Sequence, residues 1–111
     1  MFVVVSLLLA AACLIPAAGK LVGLPKMRRS ASHFGIAWRH YRLIGVAELA
    51  AAAGILIGLF WRPAGVLGAA GMTLLLLGAL IAHLRAHDSV REALPAVLAL
   101  AVSGMYLAAV Q

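Results

Sequence analysis

A chain of 111 residues that is 66% hydrophobic and only 11% charged, with a mean hydropathy of +1.12, is too apolar for a soluble domain, which carries about 25% charged residues. Its net charge of +6 would suit nucleic acid only if the cations gathered on a soluble face, and here they flank apolar runs. Nucleic-acid binding is therefore set aside, and the residues left between the runs are too few for a nucleotide-binding or protease module.

Four apolar runs, residues 2–23, 41–61, 64–86 and 93–110, each approach the about 20 residues that a spanning helix needs. The expected fold is all-α: an integral membrane four-helix bundle, one domain over residues 1–111, with a basic interfacial connector between the first two spans. Lys26, Arg28, Arg29, Arg39 and Arg42 lie between spans one and two, and Arg85 and Arg91 between three and four, against Arg62 alone between two and three. This positive-inside bias places the first and third connections in the cytoplasm and both termini outside, in a bacterial cytoplasmic membrane. The basic connections also attract anionic headgroups.

The first run lacks a positively charged start and is longer than a signal peptide's apolar core, so it reads as a membrane helix. Pro16 interrupts its ladder of hydrogen bonds and predicts a kink. Cys13, Pro16 or Ala17, and Lys20 share one face by their spacing. Lys20 has two readings, snorkelling to the headgroups or reaching inward. The single cysteine excludes an intramolecular disulfide and dithiol chemistry within one chain.

Between the first two spans, Phe34, Trp38 and Tyr41 fall at i, i+4 and i+7 with arginines between them, a pattern for an interfacial helix that Ser30 or Ser32 could cap. His33, Phe34, Trp38 and Tyr41 are expected as interface anchors or a lid, with His33 and His40 exposed.

The second span carries Glu48, a carboxylate roughly 10 Å inside the boundary if the helix starts near Tyr41. A central charge costs about 2.5–3.5 kcal/mol, so it needs a partner, a proton or a wet cavity. Tyr41, Ile44, Gly45, Ala51, Ala52 and Ile55 share its side, which is expected to face the bundle interior. Ala50, Gly54 and Gly58 form a small-residue stripe for helix packing, within this chain or against a second subunit.

Pro63 suits the start of the third span, which ends in His83, Arg85, His87 and Asp88. Topology brings Lys20, Glu48 and His83 into one half of the bundle on three helices. His83 and His87 have the i, i+4 spacing of helical metal ligands, with Glu48 as a conceivable third. Without an intervening glutamate or nearby cysteine, the metal reading is set aside for a dipole-favoured His87 and a hydrogen-bonded His83. On the fourth span, starting at Glu92 or Pro95, Ser103 falls at the depth of Glu48, with Tyr106 one turn deeper on the same face. The alternative for Ser103 is a bond to its own backbone.

Gly19–Lys20, His33–Phe34–Gly35 in a basic connector, Gly45-x-x-Glu48 and His83 together resemble the DoxX-like family of small four-helix membrane proteins, whose relatives include the animal chaperone for nicotinic receptor assembly. The resemblance covers most of the chain and implies a compact bundle around an internal polar site. It also implies either assistance to membrane-protein assembly or a link to quinone- or thiol-dependent redox systems. The absence of a cysteine pair departs from a redox pattern. The leading expectation is a non-catalytic bundle whose Lys20, Glu48, His83, Ser103 and Tyr106 form a polar site for an isoprenoid or quinone-like lipid. The alternatives are an assembly chaperone or accessory subunit, and a small subunit of a quinone-linked oxidoreductase. Membrane lipids, another membrane protein or a homodimer are the expected partners.

Overall fold

The computed structural model describes residues 2–110. Five helices follow one another: α1 (Phe2–Val22), α2 (Pro25–His33), α3 (Trp38–Ile57), α4 (Arg62–Arg85) and α5 (Val90–Ala109). All but α2 are long and apolar enough to cross a membrane. They form an all-α membrane bundle with no strand among the described residues. Its longest dimension, 38 Å, matches hydrocarbon plus part of the headgroup layers. Helix α1 packs on α3 and α5, and α4 packs on the same two, so the order around the bundle is α1, α3, α4, α5.

Helical periodicity accounts for which faces turn inward. On α1 the buried positions Val5, Leu9, Cys13, Ala17 and Lys20 recur at intervals of three and four; on α3 Tyr41, Gly45, Glu48, Ala52 and Ile55 do the same. Lys20 and Glu48 therefore belong to core stripes and are carried inward by apolar neighbours. Ala69, Met72 and Leu76 of α4 and Tyr106 close the core. The outward faces carry Leu7, Ile15, Leu43, Leu67, Leu74 and Leu98, exposed as a lipid-facing surface requires.

Several local expectations change. Helix α2 begins at Pro25 behind Leu24 and has no side-chain cap; Ser30 instead donates to the carbonyl of Lys26 at 3.1 Å. The aromatic trio does not share a helix. Phe34 is the C-cap of α2, Gly35 with φ +70° turns the chain, and Trp38 and Tyr41 open α3. Helix α5 starts earlier than expected, at Val90, because Ser89 accepts the amide of Glu92 at 3.3 Å; Pro95 then lies inside it.

Candidate functional site

The site is built where α1 and α3 come closest. A Cβ on Gly45 would stand 2.8 Å from Cβ of Lys20, nearer than real carbons pack, so only glycine lets the two backbones meet here. That approach sets Lys20 Nζ 2.8 Å from Glu48 Oε1, with the side chains 8% and 7% exposed. Of the two readings for Lys20, the inward one is realised. The ammonium lies 5.0 Å from the centre of the Tyr41 ring, a cation–π contact that makes the buried Tyr41 a wall of the site. The Lys20 ammonium is the partner of Oε1, and no other donor reaches it.

Beside this pair opens a cavity of about 280 Å³, walled by Phe34, Ile44, Leu75, Gly78 and Ala82 together with Tyr41, Lys20 and Glu48. Leu74 and Leu75 also border a larger groove of about 680 Å³ that runs between α3 and α4 past Ala50, Gly54, Gly68 and Gly71 to Trp61. The smaller cavity has a charged end; the groove is almost wholly apolar. On its other side Glu48 borders a cleft with Pro16, Lys26 and Pro95, so the carboxylate stands between two recesses separated by Met72 and Leu76.

His83 does not join Lys20 and Glu48. Its Nδ1 lies 2.6 Å from Asp88 Oδ2, while His33 Nε2 lies 2.6 Å from Asp88 Oδ1. The reason is depth. His83 is in the last turn of α4, whereas α3 begins at Trp38 and carries Glu48 about 15 Å along its axis. Burial alone would raise the Asp88 carboxyl pKa, but hydrogen bonds with His33 and His83 outweigh it and hold the group below its ordinary range. Asp88 is the residue that sequence reasoning missed. Its position depends on His87 adopting a left-handed φ of 58°, which turns the chain back so that the amide of Asp88 donates to the carbonyl of His83 at 2.9 Å. Phe34, edge-on to the His83 ring with centroids 5.1 Å apart, connects this cluster to the cavity wall. His33 is exposed, as expected, and Trp38 stacks with the Arg28 guanidinium at 4.6 Å.

Ser103 and Tyr106 also lie apart from the Lys20–Glu48 pair. Ser103 Oγ is 2.7 Å from Thr73 Oγ1 and donates to the carbonyl of Ala69 at 3.4 Å, tying α5 to α4 instead of to its own backbone. Tyr106 packs against Phe2, with ring centroids 5.4 Å apart, and approaches Gly58 and Gly65, at the end of the bundle away from the basic connections. Ser103 is thirteen residues into α5 and Glu48 ten into α3, which puts the serine about 4.5 Å farther from the basic end. Gly54 and Gly58 pack within the chain. Cβ atoms there would meet the Ala64 carbonyl at 2.9 Å and Gly65 Cα at 2.5 Å.

Four spanning helices enclosing a buried Lys–Glu pair define a small all-α integral membrane protein with an internal polar site. The chain belongs to the DoxX-like family, which it matches over residues 4–105. No curated protein and no solved structure matches it.

Proposed function

We propose that this DoxX-like protein binds an amphipathic lipid of the isoprenoid or quinone class, its polar head beside Lys20 and Glu48 and its tail in the groove between α3 and α4. The observation that carries this reading is the buried Lys20–Glu48 pair at the charged end of a cavity that meets an apolar groove at Leu74 and Leu75. A quinol hydroxyl or prenol head can donate to the Glu48 carboxylate, and Lys20 can donate to a hydroxyl oxygen of the same head or to a carbonyl of the oxidised quinone. The cavity is near the lower end of ligand pockets, about 300–1,000 Å³, which suits a head without its tail. The role is non-catalytic binding; the chain has one cysteine, Cys13, and electron transfer would require a donor from another protein. In a bacterial cytoplasmic membrane the positive-inside rule would put the basic end, and with it the headgroup, on the cytoplasmic side, with both termini outside.

The test is to purify the protein in mild detergent, extract the bound lipid and identify it by mass spectrometry. A prenyl lipid near one per chain, lost in Glu48→Gln while phospholipid content is unchanged, is the expected result. Its absence from the wild type, or its retention in a folded Glu48→Gln protein, would reject the reading.

A second reading, an assembly chaperone or accessory subunit, is favoured by the groove itself. Its small residues would let a partner's helix, or one from a second copy, approach the backbone closely. Gly71→Leu then abolishes co-purification of the partner, whereas lipid alone in the groove predicts no protein partner to lose.

A further inference from the structure

The chain has only three acidic residues, and Glu48 is engaged by Lys20. The other two, Asp88 and Glu92, stand together at the basic end, and the group facing both is an imidazole. One oxygen from each carboxylate and a ring nitrogen of His33 lie within 4.8 Å of one another. Two carboxylates this close repel unless a cation lies between them. Nine lysines and arginines are present in the chain, yet the ion-pair contacts of Asp88 are to histidines.

The donor set narrows the kind of cation. Magnesium and calcium take oxygen alone, whereas one imidazole nitrogen with two carboxylate oxygens suits a borderline transition-metal ion. The three groups come from separate places in the chain, the end of α2, the turn before α5 and the first turn of α5, so the fold assembles the set. His83 holds the far oxygen of Asp88 at 2.6 Å, as outer-shell histidine–carboxylate contacts do at metal centres, and aims the near oxygen at His33. His33 and Glu92 are exposed, which leaves an aqueous entry path, while the Asp88 side chain is 5% exposed and fixed.

We propose that His33, Asp88 and Glu92 form a site for a divalent metal ion of the zinc class at the basic end of the bundle, with His83 as the positioning residue for Asp88. Three protein ligands leave a coordination position for water. A bound ion ties α2 to α5 across the Phe34–Ile36 segment, which borders the cavity beside Lys20 and Glu48. This site shares no ligand with the lipid site and stands or falls independently of it.

The experiment uses the full chain in detergent micelles, stripped with chelator and titrated with Zn²⁺ by calorimetry and with Co²⁺ by visible absorption. One ion per chain is expected. Glu92→Gln and His33→Gln each weaken binding by at least about tenfold, and His83→Gln, through the released carboxylate, by about 10–100-fold. His40→Gln leaves it unchanged. Glu92 is exposed, and circular dichroism and gel filtration establish that its variant keeps the fold. Absence of saturable Zn²⁺ binding in the wild type, or wild-type affinity in folded Glu92→Gln and His33→Gln, overturns the proposal.

Discussion

Lys20 and Glu48 are each other's counter-ion in a place where neither is tolerated alone. Taking two charges out of water is repaid only when the pair is intact, and removing one partner strands the other. Lys20→Met and Glu48→Gln are therefore each expected to destabilise the bundle, Lys20→Met by about 3–5 kcal/mol and Glu48→Gln by less because the amide keeps its shape and can still hydrogen-bond. The double variant should recover much of the loss. Unfolding by graded denaturant in micelles, run as a double-mutant cycle, reads the coupling directly; additive effects would mean that the 2.8 Å contact contributes nothing. This pair was legible in the sequence because both residues continue the three-and-four spacing of apolar positions on their helices. The partner of His83 was not legible. Asp88 reaches His83 through a left-handed residue in a turn, and hydropathy periodicity carries no information about such a turn.

Between α3 and α4 the helix contact is made by glycines, but the glycines of α4 are not equivalent. A Cβ on Gly65 would collide with the Tyr106 hydroxyl and stand 3.1 Å from Gly58 Cα, whereas one on Gly71 would meet nothing within 4 Å. Gly65→Leu should thus separate α3, α4 and α5 and cost more than the about 1–3 kcal/mol usual for overpacking, since backbone must move. Gly71→Leu should stay within about 0.5 kcal/mol of the wild type while filling the groove. Gel filtration and thermal unfolding of the two proteins check the contrast; equal stability would show that the helices do not pack at Gly65. The four spans could be counted from hydropathy alone because length and apolarity suffice for that count. Their ends were harder to place. A serine cap started α5 at Val90, and extension of α3 back to Trp38 deepened Glu48 by about 4.5 Å. The extension of α3 carried Glu48 away from His83 in the last turn of α4, whereas Ser103 and Tyr106 are held by α4 and α1 contacts of their own.

Across the whole molecule, charge and hydropathy run along one face. The α3–α4 side offers a buried ion pair near the basic end, then an apolar groove reaching Trp61 near the other. From Leu75 back to Trp61, α4 rises about 20 Å, so the groove covers much of the hydrocarbon thickness. For the proposed lipid, this arrangement would put head and tail contacts on separate residues, which substitutions can resolve. Leu67 lines the groove and projects to the surface, far from Lys20 and Glu48 in sequence and on a different wall. Leu67→Trp is expected to weaken a long-tailed prenyl ligand about tenfold or more by removing buried apolar contact, roughly 1.4 kcal/mol, while leaving a short-tailed analogue with the same head unaffected. Lys20→Met should weaken both equally. Competition binding in nanodiscs with the two ligands measures the difference. No loss for the long-tailed ligand in Leu67→Trp would separate the groove from the cavity and leave the ion pair as a local polar contact, whereas the expected split would join them into one head-to-tail site.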